Sequence, residues 1–452
     1  MTKFFDSLNR VLWGAPALVL MLGVGLAVSI RCGFPQLGLL PDAIRSFFHK
    51  LLPRKGRADA SSFQALCTAL GATVGTGNLV GVAGAICIGG PGAIFWMWIC
   101  GLLGMATKYA EALLAVRYRV KTESGYIGGP MYVMVHGLGS GWKPLACAYS
   151  LFGVIAAFGV GNGTQINAVV TAVNIILPLF GRTESTMGNL LMGLLLAMLI
   201  GTLLLGGAKR IGAAAEKLVP FAAGAYILLC VGVLMARSSQ LPEAFSQIIQ
   251  GAFDPKAVTG GALGSAFQAL RVGCSRGVFT NEAGMGTASI AHASAEVDHP
   301  VQQGLMGIME VFLDTMVICT LTALVILVSG VPIPYGVDVG AALSTASFAA
   351  FYGPAASVLI ALMLILFAIA TVLGWGLYGA RCAQFLFGKN SWKIFALAQT
   401  IMVLLSATVD TAVIWQLSDI LNGLMVIPNL ITLAALSSEI AHLTKDYKKS
   451  GK

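Results

Sequence analysis

Long runs of apolar residues alternate with short polar segments along the whole 452-residue chain. A run of about 20 apolar residues is long enough to cross a bilayer as a helix, and the pattern predicts eleven such spans. They are expected at residues 11–30, 62–88, 92–118, 144–177, 187–206, 211–236, 258–292, 301–329, 354–387, 391–409 and 411–441. The alternating strands of a transmembrane barrel do not occur in this pattern. The sequence therefore predicts an all-α polytopic membrane protein.

Two of the predicted spans are interrupted by glycines and polar residues. The first contains GATVGTGNLVGVAGA at residues 71–85, and the second contains RGVFTNEAGMGTASIAHA at residues 276–293. Each glycine within a helix costs roughly 1 kcal/mol relative to alanine, so these segments weaken their own helices. Small residues four apart, as at Gly71 and Gly75, also suit close helix packing. The second segment, five spans later, favours paired helix breaks that expose main-chain groups to a ligand.

The composition agrees with a membrane protein and argues against several other classes. Hydrophobic residues make up 57% of the chain and charged residues only 10%, against about 25% charged residues in a soluble domain. The sequence contains no H-E-x-x-H or G-x-S-x-G motif of an intramembrane enzyme. Its nine cysteines lie scattered in apolar segments and do not indicate a metal site. The net charge of +9 indicates basic cytoplasmic loops better than a nucleic-acid partner.

The distribution of basic residues predicts an orientation in the bilayer. Most of the 28 lysines and arginines fall in loops that share one side if the chain has eleven spans. Basic loops stay on the cytoplasmic side, so the N-terminus is expected outside and the C-terminus inside. The sequence thus predicts a multi-pass protein of the plasma (inner) membrane, and it gives no indication of protein partners.

Several motifs together resemble the alanine/glycine:cation symporter family, also called sodium:alanine symporters. They are GTGNLVGVAGA, FWMWICGLLGMATKYAE, GGPMY, FTNEAGMGTASIAHA and LGWGLYG. The resemblance implies a LeuT-like fold, with one N-terminal helix before a 5+5 inverted repeat whose first helices are discontinuous. It also implies uptake of alanine or glycine coupled to Na⁺, or to H⁺ in some members. The implied divisions are residues 1–60, 61–250, 251–441 and a basic tail at 442–452.

The resemblance assigns the two breaks to the substrate, a small neutral amino acid. Main-chain N–H groups of the first break are expected at its carboxylate, and carbonyl groups of the second at its ammonium group. Rings of Phe279 and Trp375 are expected to limit its size, although a lone tryptophan is more often a core residue. An interhelical hydrogen bond is an equally good interpretation of Gln165 taken alone. The implied substrate residues are Thr76, Gly77, Asn78, Gln165, Phe279, Thr280, Asn281, Trp375, Met425 and Ile427.

The same resemblance implies a Na⁺ site, with no other cofactor. Carbonyl groups of Gly71 and Val74 and the hydroxyl of Thr371 are its expected oxygen ligands. The family commonly has two adjacent hydroxyl residues at this point, whereas this chain has Ala370 before Thr371. Coupling to H⁺ therefore remains an alternative, with Glu282 as the candidate carboxylate. A passive facilitator or channel is the alternative from another functional class.

Other charged residues fall within predicted spans, where an unpaired charge is costly. Lys108 and Glu111 are three positions apart and are expected to pair. Arg271 and Arg276 precede the second break and are candidates for an extracellular gate with an acidic partner. His292 follows that break and is expected to be packed or interfacial. Glu216, Glu310 and Asp314 are expected to face the protein interior.

Overall fold

The computed structural model describes most of the chain. The described residues are 12–51, 57–123, 125–408 and 411–450, with the backbone alone described at 57–60 and 411–416. Some basic residues used to predict the orientation lie outside this range, namely Lys3, Arg10, Arg54, Lys55 and Lys452.

The described chain is almost entirely helical. Up to residue 236 the helices are α1 (Ala15–Arg31), α2 (Pro35–Gly38), α3 (Leu40–Leu51), α4 (Arg57–Thr73), α5 (Val80–Gly89), α6 (Gly92–Arg117), α7 (Pro130–Gly137), α8 (Lys143–Phe158), α9 (Thr164–Ile176), α10 (Thr186–Leu204) and α11 (Gly207–Ala236). A two-stranded antiparallel hairpin of β1 (Val120–Thr122) and β2 (Gly125–Ile127) follows α6, with Val120 opposite Ile127.

Eleven further helices follow in the described chain. They are α12 (Leu241–Phe253), α13 (Pro255–Thr259), α14 (Ala266–Asn281), α15 (Ser289–His292), α16 (Pro300–Val311), α17 (Thr320–Val328), α18 (Gly340–Tyr352), α19 (Ala355–Phe387), α20 (Ser391–Ser406), α21 (Thr411–Ala435) and α22 (Ser437–Lys449). π-helical turns at Gly159–Gly163 and Phe312–Cys319 join α8 to α9 and α16 to α17, so each pair forms one long element. Short 3-10 turns occur at Thr76–Asn78, Ser140–Trp142, Leu177–Phe180 and Ser238–Gln240.

The membrane-spanning character of the fold is clear from helix length and composition. Within the described residues, seven helices are long and apolar enough to cross a bilayer, and eight if the bent pair of α4 and α5 is one span. A total of eleven additionally requires α1, α20 and the interrupted segment 266–292 to cross. The polytopic helical class is therefore confirmed, and the count of eleven stays a prediction.

Two predicted span boundaries were wrong. The span expected at 258–292 begins at Ala266, because Gly260 and Gly261 adopt positive φ angles after the short helix α13. The last span, expected at 411–441, ends at Ala435, and the helix α22 starts anew at Ser437. α22 is rich in charged residues, so it does not extend the apolar helix before it.

The amphipathic helix α12 packs against the start of α6. Its small and apolar residues Ala244, Ile248 and Gly251 are buried. The approach is so close that a Cβ placed on Gly92 would overlap the main chain of Gly251. Glycine at position 92 is therefore required by packing between two main chains.

We expect Gly92→Ala to destabilise the protein by about 1–3 kcal/mol, because main-chain atoms cannot move aside as a side chain can. Thermal unfolding of the purified protein measures this loss. Gly224→Ala in α11 is the matched control, since a Cβ at Gly224 meets no atom within 4 Å. Equal stability of the two variants would contradict the close packing of α6 and α12.

Candidate functional site

The first break lies between α4 and α5. Helix α4 ends at Thr73, the chain passes through Gly75 into a 3-10 turn, and the two flanking segments meet at an angle of 55°. The side-chain oxygen of Asn78 accepts a hydrogen bond from the main-chain N–H of Gly75 at 2.9 Å. Both Thr76 and Asn78 are completely buried. The predicted interruption is confirmed, and its polar groups face the protein interior.

Gln165 reaches the first break from α9, beside a π-helical turn. Its Oε1 accepts hydrogen bonds from the main-chain N–H and the hydroxyl of Thr76, at 3.2 and 2.9 Å. Its amide nitrogen donates to the carbonyl of Val160 at 3.2 Å. Gln165 therefore forms an interhelical hydrogen bond to the first break, which is one of its two interpretations. Its contact with a substrate stays a prediction.

The second break begins after Asn281, where α14 ends. Glu282, Gly284 and Gly286 adopt positive φ angles of 54°, 92° and 77°, and α15 starts at Ser289. The two breaks face each other, because a Cβ at Gly77 would lie 3.1 Å from side-chain atoms of both Phe279 and Thr280. The residues of the two breaks are thus close together in the protein interior.

The side chain of Trp375 packs beside the two breaks. A Cβ added to Gly161, in the π-helical turn before Gln165, would overlap the Trp375 side chain. Trp375 is only 1% exposed and lies close enough to Glu282 for the two side chains to interact. Met425 is buried near Gly153 in α8, and Ile427 is half-buried. Whether these two residues contact a substrate stays a prediction.

The residues predicted to bind the cation lie where α4 meets α19. The hydroxyl of Thr371 donates to the carbonyl oxygen of Gly71 at 3.0 Å. The methyl carbon of Ala370 also lies beside Gly71, 3.5 Å from a Cβ placed on Gly71. Val74 belongs to the turn that follows, and it is buried. Oxygen donors of this kind suit a hard cation such as Na⁺, and the methyl group of Ala370 supplies no further ligand.

Asp314 has a more central position than its sequence context suggested. Its Oδ1 accepts a hydrogen bond from the side-chain amide of Asn78 at 2.6 Å, and its Oδ2 accepts one from Thr315 at 2.9 Å. The hydroxyl of Thr315 in turn accepts a hydrogen bond from Asn281 at 3.0 Å. Asp314 therefore links the two breaks. A carboxylate within an apolar run was the signal for it, but nothing in the sequence places it beside Asn78.

The side chain of Glu111 binds main-chain N–H groups of the second break. Its Oε1 accepts hydrogen bonds from the N–H groups of Gly284 and Gly286, at 2.9 and 3.1 Å, and from the Asn429 amide at 2.7 Å. The expected pair of Lys108 and Glu111 was wrong, because Lys108 pairs with Glu310 at 3.2 Å instead. The irregular main chain of the break supplies donors for Glu111, a partner that helical spacing does not predict.

The ion pair of Lys108 and Glu310 belongs to a chain of buried polar groups. His292 lies 2.8 Å from Glu310, and its other ring nitrogen lies 2.7 Å from Gln303. Gln303 accepts a hydrogen bond from Ser62 at 2.6 Å, and Ser62 accepts one from Lys50 at 2.7 Å. His292 is thus packed in the interior, which confirms one of its two expected settings.

Arg276 lies near the second break, with acidic groups on two other segments. Its guanidinium nitrogens are 3.7 Å from carboxylate oxygens of Asp338 and of Asp419. The guanidinium group also lies 6.0 Å from the centre of the Phe279 ring. These contacts connect α14, the segment before α18, and α21. They give Arg276 the acidic partners that the gate hypothesis requires.

We expect Glu111→Ala to lower the free energy of unfolding by about 1–3 kcal/mol for each buried donor that it leaves unpaired. Glu111→Gln should lose less, because an amide oxygen still accepts hydrogen bonds. Thermal unfolding and hydrogen exchange at residues 284–286 measure both effects.

The control is Glu243→Ala, since Glu243 is an exposed α12 residue bonded only to Gln247 in the described chain. This variant should remain within about 0.5 kcal/mol of the parent protein. Unchanged exchange at residues 284–286 in Glu111→Ala would contradict the assigned role of Glu111.

Comparisons with known proteins match the whole chain to a transporter family. The family model described as the sodium:alanine symporter family matches residues 1–452. The sodium/alanine symporter AgcS of Methanococcus maripaludis is 42% identical over 452 residues, covering 98% of this chain and 96% of that one. These are transporters and not enzymes.

Solved structures show the same fold at low sequence identity. MhsT in complex with L-phenylalanine matches with a TM-score of 0.59 and 14% identity, over 86% of this chain and 98% of that one. Mhp1, a nucleobase-cation-symport-1 family transporter in a closed conformation, matches with a TM-score of 0.53 and 11% identity, over 85% and 93%. MhsT supports the expected LeuT-like fold. With the family match over its full length and two glycine-interrupted helices meeting in its interior, this chain belongs to the sodium:alanine symporter family.

Proposed function

We propose that this protein takes up small neutral amino acids, alanine and glycine, across the plasma membrane together with Na⁺. The observation that carries the proposal is the meeting of the two breaks, with Gly77 against Phe279 and Thr280. Main-chain donors from one break and carbonyl groups from the other suit the two ends of an amino-acid zwitterion. The family and AgcS supply sodium and alanine as the starting assignment.

The contacts of Gln165 suggest how a substrate carboxylate is received. Its Oε1 accepts from the N–H and the hydroxyl of Thr76, as a carboxylate oxygen would. We propose that the substrate carboxylate replaces this amide oxygen at Thr76. Gln165 would then turn its amide N–H groups towards the bound carboxylate. Gly77 and Asn78 supply the rest of this end of the pocket.

We assign selection for the size of the substrate to the aromatic side chains of Phe279 and Trp375. Phe279 is 6% exposed and Trp375 is 1% exposed, so neither can move aside into open solvent. Thr280 and Asn281 supply carbonyl groups for the ammonium end, and Met425 and Ile427 complete the wall. A buried wall of this kind rejects larger side chains sterically.

Sodium is assigned to the carbonyl groups of Gly71 and Val74 and the hydroxyl of Thr371. The contact between Thr371 and Gly71 supports this proposal, because the two oxygen atoms lie 3.0 Å apart. The coupling ion adds positive charge between α4 and α19. Its binding would hold the first break against the rest of the bundle.

Coupling to H⁺ is the second candidate, and Asp314 is the observation that favours it. Asp314 is completely buried and forms no salt bridge within the described residues. A carboxylate in that setting is stabilised by taking up either a proton or a cation. We place Asp314 ahead of Glu282 for this role, since it contacts Asn78 in the first break.

The remaining topology is also part of the proposal. We propose eleven spans, with α1 preceding two inverted repeats at residues 61–250 and 251–441. The N-terminus would lie outside and the basic C-terminal segment in the cytoplasm. Arg276 and its two acidic partners would then close the outer side of the pocket.

Uptake of labelled alanine and glycine into proteoliposomes tests the coupling. We expect concentrative uptake with an inward Na⁺ gradient and none with an inward H⁺ gradient alone. Uptake driven only by H⁺ would transfer the coupling to Asp314. Uptake that merely equilibrates under every gradient would contradict symport and indicate a facilitator.

Three substitutions separate the candidate ion sites. Thr371→Val should raise the Na⁺ concentration for half-maximal uptake about tenfold or more, because one hard ligand is lost, whereas Ala370→Ser should lower it by adding a hydroxyl. Asp314→Asn should abolish H⁺-driven uptake under the second candidate mechanism while alanine exchange without a gradient persists. Unchanged Na⁺ dependence in Thr371→Val would exclude Thr371 as a ligand.

A further inference from the structure

A basic cavity lies away from the two breaks, among α10, α11, α19 and α20. Its volume is about 260 Å³, so it has room for several water molecules at about 30 Å³ each, or for one polar head group. The lining includes Lys209, Arg381, Gln384 and Trp392, together with small residues such as Gly207 and Ala380. Nothing in the transport mechanism uses these side chains.

The charges of this cavity have one sign. Lys209 and Arg381 are the charged residues among the described lining, and neither forms a salt bridge in the described part of the chain. One guanidinium nitrogen of Arg381 donates to Gln384 at 2.8 Å. An arginine side chain has five N–H donors, so this bond leaves others for a ligand. The cavity therefore favours an anion.

The cavity also lies at the ends of the helices that line it. Helix α10 ends at Leu204 and α11 begins at Gly207, while α19 ends at Phe387 and α20 begins at Ser391. Both connections border this cavity, and the basic residues Lys209, Arg210, Lys389 and Lys393 lie in them or in the first turn of the helix that follows. The ring of Trp392 lies over Gly207, at 3.8 Å from a Cβ placed there. Tryptophan and basic residues at helix ends are typical of the level of the lipid head groups.

Apolar side chains next to the cavity are exposed on the outer surface of the helix bundle. Leu205 and Leu397 adjoin lining residues in the sequence, and their exposed fractions are 53% and 56%. Ile394, in the first turn of α20, is 75% exposed. A ligand with a phosphate group and acyl chains matches a cationic cavity beside an apolar surface.

We propose that this cavity binds the phosphate group of an anionic phospholipid, with Lys209 and Arg381 as its charged ligands. Arginine recognises phosphate oxygens through paired N–H donors. Basic cavities between transmembrane helices are suited to acidic lipid head groups. The lipid would connect α11, which begins at the cavity, to α19, which carries Thr371 and Trp375.

Lipid titration of the delipidated, full-length protein tests this proposal, with bound lipid counted by native mass spectrometry. The probes are phosphatidylglycerol, phosphatidylcholine, and the soluble anions glycerol 3-phosphate and inorganic phosphate. We expect phosphatidylglycerol to bind preferentially. A basic residue near an anionic lipid contributes about 1 kcal/mol, so Lys209→Gln and Arg381→Gln should each weaken this binding about fivefold, and together roughly 25-fold.

Two further variants distinguish the cavity from a general effect of charge. Lys143→Gln removes an exposed basic residue at the start of α8 and should bind phosphatidylglycerol as the parent protein does. Ala380→Phe fills the cavity without changing charge and should weaken binding at least tenfold. Binding by the double variant equal to that of the parent protein would overturn the proposal. Equally strong binding of inorganic phosphate would assign the cavity to a soluble anion and overturn the lipid assignment.

Discussion

Main-chain polar groups released by the two helix breaks need partners, because hydrocarbon offers none. The structure meets this requirement with side chains from other helices. Gln165 accepts from the first break, and Glu111 accepts from the second. Tyr149 donates to the carbonyl group of Met285 at 2.8 Å, and Ser344 donates to that of Leu79 at 2.8 Å. The arrangement of α6, α8, α9 and α18 around the breaks follows from this need.

These partners also hold the two breaks in a closed conformation. Thr76, Asn78, Thr280 and Asn281 are all completely buried, so the site is closed to solvent. The breaks meet each other directly, and Asp314 joins their side-chain amides through Thr315. A substrate that bound between the breaks, as we propose, would exchange its own polar groups for some of these internal ones. Such an exchange would leave the number of hydrogen bonds nearly unchanged, so the difference in free energy between the free and bound states would be small.

The sequence predicts those features of the site that depend on one segment or on a local pattern. Glycines and polar residues within apolar runs locate both breaks, whereas the pattern alone leaves Gln165 between an interhelical hydrogen bond and a pocket residue. The contact of Thr371 with Gly71 agrees with the position that the family resemblance assigned to the cation. The partners of Lys108 and Glu111 could not be predicted from the sequence. Lys108 pairs with Glu310 on a distant helix, and Glu111 binds the irregular main chain of the second break. The boundary at Ala435 was missed because Leu436, Ile440 and Ala441 are apolar, although most of α22 is polar or charged.

The two π-helical turns affect how the helices that follow them are rotated about their own axes. An α-helix advances about 100° per residue, so the wider turn before Thr164 changes which face every later residue of α9 presents. The same holds around Asp314, which lies within the second π-helical turn. Removing one residue from either turn would restore regular α-helix and rotate Gln165, or the residues of α17, away from their present neighbours. In this protein the length of the chain at these turns, as much as the identity of its residues, determines which side chains face the breaks.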